Sequence, residues 1–185
     1  MVDFELTEEQ KAAVRMAHDF ALNEMRPVAL ECDKEGHIPD SLISKAAAAG
    51  LTAMAIPEEY GGGGLDQITA AMVSEELAWG CAGIATTLGA NSLATTPMVI
   101  AANEEQKKEY FPRLCDPDNP KFAAFCLTEP GAGSDAAAIS TIIQDKGDHY
   151  LLNGQKCFIT NGGIADFYSV FCTFDKEKKY GGIAA

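Results

Sequence analysis

Hydrophobic positions recur at helical spacing through the first two-thirds of the chain, then give way to short strand-like runs. Thr7 followed by Gln10 has the form of a capping box, with Glu8 and Glu9 in the first turn, where the helix dipole favours anions. Val14, Ala17, Ala21 and Met25 then share one helical face. Pro27 is expected to kink or end that helix, because it has no N–H to donate and its ring meets the preceding turn. A second helix is expected after Pro39-Asp40, over 41–49, with Gly50 as its left-handed terminator. The turn-rich stretch IPEEYGGGGLDQ leads into a helical pattern over 68–79, stopped by Gly80. Two short apolar segments follow, over 82–88 and 93–102. Asn103 then caps a helix led by Glu104 and Glu105 and expected to end near Pro112, and DPDNP at 116–120 is a loop by composition.

Beyond that loop the period changes. Residues 122–127 form a short apolar run, and 167–174 another, rich in aromatics and valine. HYLL at 149–152 and QKCFI at 155–159 flank Asn153-Gly154, which predicts a hairpin because both central positions of a type I′ turn need φ > 0. Residues 180–185 look like the opening of a further strand, and a chain that stops on an open strand suggests a piece of a longer polypeptide. The expected class is α+β: an all-α helical unit over 1–120, then an antiparallel sheet unit, incomplete, over 121–185.

Composition narrows the function. An apolar fraction of 47% supports a packed core, and a formal net charge of −13 repels nucleic-acid backbones and anionic membrane surfaces. The six cysteines form no C-x-x-C pair and histidine occurs three times, so metal-site spacing is absent. The scattered cysteines read as reduced thiols of an intracellular protein. The N-terminal MVDFELTEEQ has neither an apolar signal core nor an Arg-rich transit character, and no apolar run reaches the length of a membrane span.

Two segments carry candidate chemistry. Phe125-Cys126-Leu127-Thr128-Glu129-Pro130-Gly131-Ala132-Gly133-Ser134-Asp135 is a strand followed by a Gly-rich turn. As a plain turn it needs no ligand. As a site it offers the Thr128 and Ser134 hydroxyls, and a backbone that a diphosphate approaches closely at Gly131 and Gly133. It is not the G-x-G-x-x-G dinucleotide fingerprint. The second segment, Lys156-Cys157-Phe158-Ile159-Thr160-Asn161-Gly162-Gly163, reads either as a strand and turn or as a strand offering Phe158 to a flat ring. Thr160 would then lie two residues along the same face, as a hydrogen-bond donor.

LTEPGAGSD and ITNGG resemble the flavin-binding segments of acyl-CoA dehydrogenases, and EEYGG at 58–62, SEELA at 74–78 and NEEQK at 103–107 match that family in order, so the resemblance covers essentially the whole chain. It implies a helical N-terminal domain and a β-barrel-like middle domain, with the family's C-terminal four-helix domain absent. It implies FAD as cofactor, acyl-CoA as substrate and an electron-transfer flavoprotein as acceptor. The setting would be fatty acid β-oxidation in a homotetramer, in a prokaryotic cytoplasm or, as a mature form, in the mitochondrial matrix. By motif, Phe125, Cys126, Leu127 and Thr128 would contact the flavin. Gly133 and Ser134 would lie beside the diphosphate, with Ser134 also near the pantetheine arm. Phe158, where many relatives have Trp, would cover the ring, with Ile159 beside it and Thr160 near N5. Medium-chain relatives place Gln and Glu at the positions of Ala85 and Gly89, at the floor of the acyl cavity. The small residues here imply either a deeper pocket or close helix packing.

No catalytic residue is assigned within the chain, since the family's base comes from the C-terminal domain. Glu129 reads as a structural carboxylate rather than the base. Glu75 and Glu76 read as helix-face groups, and Glu58 and Glu59 as loop contacts. An acyl-CoA oxidase or flavin monooxygenase of the same fold, or a binding fragment without turnover, is the competing reading.

Overall fold

The computed structural model describes residues 5–185; the first four residues of the expected 1–120 helical unit lie outside them. Helix α1, Glu8–Phe20, opens on the expected capping box: Gln10 N donates to Thr7 Oγ1 and Thr7 N donates to Gln10 Oε1, each at 3.1 Å. It widens into a π-helical turn, Ala21–Met25, which ends before Pro27. Ala17, Ala21 and Met25 are fully buried and Val14 is half-buried, so the predicted stripe is the core face. Past Pro27 the chain re-enters a short helix, α2 (Ala29–Glu35), which the sequence pattern did not reveal. Its side chains are mostly charged and only Cys32 is buried, too little for a stripe to show.

Helix α3 (Asp40–Ala48) is followed by Gly50 in the left-handed region, φ +74°, as expected. Helix α4 (Gln67–Gly80) is capped by Asp66, which accepts from Ile68 N and Thr69 N. The two short apolar segments expected after it are one helix, α5 (Ala82–Ala101). Of the polar residues between them, Asn91 is 1% exposed and bonded to Lys121 and Ala123, where the chain enters the sheet region. Helix α6 (Glu104–Leu114) has an Asn103/Gln106 capping box and passes through Pro112, ending two residues later than expected, with Phe111 and Leu114 buried on its inner face. One apolar cluster joins Ala17, Met25, Val73, Leu77, Ile84 and Leu88; a second joins Ile56, Ala94, Met98, Phe111 and Leu114 to Ala123 of the sheet region.

The sheet region contains β1 (Ala123–Cys126), β2 (Ile142–Asp145), β3 (Tyr150–Asn153), β4 (Phe167–Val170), β5 (Cys172–Thr173) and β6 (Ile183–Ala184). Its pairing is mixed rather than antiparallel throughout, and it does not close into a barrel. β1 pairs with β4 in parallel, Ala123 opposite Phe167, and a four-stranded sheet runs β3-β2-β5-β6 with the β2–β5 contact parallel. The run over 167–174 is broken at Phe171, so its two halves serve different sheets.

The hairpin expected at Asn153-Gly154 is not there. β3 pairs backwards onto β2, and the turn lies at Lys146-Gly147-Asp148, where Lys146 N donates to His149 O and Gly147 has φ +93°. Gly154 meets a different need: a Cβ there would stand 2.3 Å from Thr141 Oγ1 and 2.6 Å from Thr141 Cα. The glycine permits a close crossing of two backbone segments, not a positive φ. Residues 155–159 consequently form no strand.

Candidate active site

The Asn161 amide and the two side chains Asn91 and Ser169 bolt α5 to the sheet region. Asn91 Oδ1 accepts from Ala123 N at 2.7 Å and Asn91 Nδ2 donates to Lys121 O at 3.0 Å, so a helix side chain completes the pairing at the start of β1. Ser169 Oγ donates to Ala94 O at 2.6 Å, and Asn161 Nδ2 donates to Thr87 O at 3.0 Å. These bonds fix the distance between the α5 surface and the segments that carry both motifs.

Between them lies a cavity of about 440 Å³, walled by Thr86, Gly89, Ala90 and Leu93 of α5 on one side and by Phe125, Leu127, Thr128, Phe158 and Thr160 on the other. Residues from both motifs and from α5 therefore meet at one place. Phe158 is held at φ +56°, in the left-handed region, and is 94% exposed. A left-handed conformation costs a non-glycine residue about 1–2 kcal/mol, and an exposed ring gains nothing from folding, so this geometry suits a flat partner. Neither the Thr128 nor the Thr160 hydroxyl is spent on a hydrogen bond within the described structure.

The other motif residues are placed differently. Cys126 is buried, its thiol pKa raised by that burial, so it supports β1 from behind. Ile159 is half-buried and does not line the cavity. Gly133 and Ser134 are exposed on the turn beyond it, with open space around Gly133. Ala85 packs against the first apolar cluster, whereas a Cβ added at Gly89 would meet nothing within 4 Å. Close helix packing accounts for Ala85 and does not account for Gly89. The Asn161-Gly162-Gly163 end of the second motif lines a separate cavity of about 610 Å³ with His37, Asp40 and Phe122.

Glu129 is enclosed. Oε2 accepts from Ser140 N at 2.6 Å and Ser140 Oγ at 2.7 Å; Oε1 accepts from Thr141 N at 2.9 Å and Lys156 Nζ at 2.8 Å. Burial alone raises its pKa, but the bonds from Lys156, Thr141 and Ser140 outweigh burial and hold the carboxyl well below the usual range. Its lone pairs are taken, which makes it an anchor and a poor base. Lys156 Nζ also donates to Leu127 O at 2.9 Å, and Cys157 N donates to Thr128 O at 3.0 Å. Sequence reading missed Ser140, Thr141 and Lys156: nothing local to a lysine in an apolar run shows which carboxylate it meets.

Both motif segments fall within a region that matches a known family. The family model for the acyl-CoA dehydrogenase N-terminal domain matches residues 7–118, and that for the acyl-CoA dehydrogenase middle domain matches 124–185. The chain belongs to the acyl-CoA dehydrogenase family. It is 38% identical, over 96% of its length and 43% of the relative's, to a probable medium-chain specific acyl-CoA dehydrogenase of Caenorhabditis briggsae. It is 40% identical, over 96% of its length and 47% of the relative's, to a 3-(aryl)acrylate reductase of Clostridium sporogenes. The chain thus spans under half the length of these curated relatives. Among solved structures, butyryl-CoA dehydrogenase of Megasphaera elsdenii superposes with a TM-score of 0.86 at 40% identity, covering 98% of this chain and 48% of the other. An acyl-CoA dehydrogenase of Bacillus anthracis, complexed with FAD, superposes at 0.83 with 36% identity, covering 95% and 30%.

Proposed function

We propose that this chain forms the flavin-facing and acyl-facing part of an FAD-dependent acyl-CoA dehydrogenase, which converts an acyl-CoA thioester to the trans-2-enoyl-CoA and passes electrons to an electron-transfer flavoprotein. The observation that carries the reading is the 440 Å³ cavity, in which Leu127, Thr128, Phe158 and Thr160 face Gly89 and Leu93 of α5. When bound, FAD supplies the hydride acceptor. The chain's own residues do the rest. Phe158 gives a flat apolar contact, Thr128 and Thr160 offer hydroxyl donors, and Gly133 and Ser134 expose backbone and hydroxyl groups for the diphosphate and the pantetheine arm. With Glu129 committed to structural bonds, no residue of 1–185 is assigned as the base that removes the Cα proton, and this chain alone is expected to be inactive. The homotetramer, the role in β-oxidation and a cytoplasmic or mitochondrial setting belong to the same proposal.

The open space at Gly89 favours an acyl pocket deeper than one floored by glutamate, and each further buried CH₂ adds about 0.8 kcal/mol. The test is spectroscopic. The intact protein is expected to be yellow and to bleach at the flavin band on anaerobic addition of a saturated acyl-CoA. A colourless intact protein, or one bleached by no acyl-CoA between butyryl and palmitoyl, overturns the proposal. So does bleaching by residues 1–185 alone, which would return Glu129 to the role of base.

A further inference from the structure

The two motif segments lie side by side along one wall of their common cavity, and one pair of side chains joins them. Thr128 precedes Glu129, and Phe158 follows Lys156 by two residues. Lys156 and Glu129 are 2.8 Å apart, with side chains 11% and 2% exposed. The ammonium's second partner is the carbonyl of Leu127, itself a cavity residue. Cys157 N on Thr128 O adds one main-chain bond between the same segments. The carboxylate's remaining partners, Ser140 and Thr141, stand at the start of β2, where Gly154 allows Thr141 its close crossing. Three stretches of chain, 127–129, 140–141 and 154–157, converge on one buried charge pair.

A pair so placed is a poor source of stability. Desolvating two ions offsets most of their attraction, and apolar replacements are often neutral or better. What a buried pair supplies in some proteins is a unique register, since a slip leaves a charge without its partner. It also sets a cation 2.9 Å from the carbonyl of the wall residue Leu127, in a setting where charges are weakly screened.

We propose that Glu129 and Lys156 are positioning residues for the flavin cavity: their pair sets the register of the Thr128 and Phe158–Thr160 segments, and their balance of charge sets the reduction potential of a flavin bound there. The proposal rests on the flavin reading above. Neither side chain is required to touch the cofactor. Lys156 acts through the Leu127 carbonyl and through the segment leading to Phe158, and Glu129 acts by holding and neutralising Lys156.

The experiment measures FAD dissociation and flavin reduction potential in the intact protein, for wild type, Glu129→Gln, Lys156→Met and Lys156→Arg. Glu129→Gln leaves an uncompensated cation and is expected to move the potential positive. Lys156→Met leaves an uncompensated carboxylate and is expected to move it negative. Both are expected to weaken FAD at least tenfold, and Lys156→Arg, which keeps the charge, to stay near wild type in potential. Shifts of the same sign in Glu129→Gln and Lys156→Met indicate damage without charge control and overturn the proposal, as do wild-type potential and affinity in both. If Glu129→Gln does not fold, Lys156→Met against Lys156→Arg decides: equal potentials overturn the proposal, and a negative shift confined to Met supports it. A wild-type protein that binds no FAD brings down the flavin reading itself, an outcome distinct from wild-type binding with variants that do not move.

Discussion

The helical region and the sheet region of this chain obey different rules of legibility. In residues 5–118, helices α1, α3, α4 and α6 start where a local signal says they start: Thr7 with Gln10, Pro39, Asp66, and Asn103 with Gln106. In residues 122–185 the strands stand close to the apolar runs, yet their partners do not follow from neighbourhood. β1 pairs with β4 across some forty residues of chain, and the predicted Asn-Gly turn is instead a steric gap for Thr141. A helix closes its hydrogen bonds within four residues, so its signals are local. A strand closes its bonds wherever the fold brings a second edge, and local sequence records only that it is apolar. The cavity between α5 and the motif segments lies on the seam between the two regions, and substitutions along that seam show how far each region depends on the other.

The largest effect is expected at the joint. Asn91→Leu removes the acceptor of Ala123 N and the donor to Lys121 O, leaving a fully buried N–H without a partner. Each unsatisfied buried group costs about 1–3 kcal/mol, so a loss on the order of 3 kcal/mol is expected in a urea titration. A loss below about 1 kcal/mol would mean that the helix and sheet regions are not joined through this side chain.

Gly154→Ala comes next. The added Cβ meets the backbone of Thr141, which must shift, and overpacking of this kind costs about 1–3 kcal/mol. Gly147→Ala, at the true turn with φ +93° and open space around it, is expected to cost less, through backbone strain alone. Were Asn153-Gly154 the hairpin turn after all, hydrogen exchange would show residues 155–159 protected as a strand, and they are expected to be unprotected.

Acid tests the sheet region through Glu129. The pKa of Glu129 is depressed on folding, so its contribution is complete above the ordinary value of 4.5 and is lost as pH falls from there toward the folded value. Wild type is therefore expected to lose stability below about pH 4.5 more steeply than Glu129→Gln, as urea midpoints from pH 6 to pH 3 can establish. Parallel pH profiles would remove Glu129 from the account. The smallest effect belongs to the helical region: Thr7→Ala breaks one capping box at a terminus and is expected to cost about 1 kcal/mol, with no change in the cavity.

The same contrast explains what could be read of the site. Leu127, Thr128, Phe158 and Thr160 stand in two short motifs that resemble those of a family, and the structure brings them to one cavity. That Phe158 sits at a left-handed φ outside any strand was not legible, because the pattern around it is apolar and strand-like. The Lys156–Glu129 pair was hidden for the reason that strand partners were: its members meet only after the fold has brought two segments together. Gly89 shows a third case. Its helical face was apparent, but whether its missing side chain served packing or space depended on what stands opposite, and nothing stands within 4 Å of an added Cβ.

On the proposed function, α5 and the two motif segments enclose one cavity in which a flavin and an acyl chain meet. The most direct test is a kcat/KM series from butyryl- to palmitoyl-CoA on the intact protein, wild type against Gly89→Glu, with FAD content measured in both. The cavity predicts equal FAD content, an optimum at long or bulky acyl groups in wild type, and a loss of roughly tenfold or more for long chains in Gly89→Glu, about 1.4 kcal/mol, with short chains little affected. A short-chain optimum in wild type, or long-chain activity undiminished in Gly89→Glu, would contradict it.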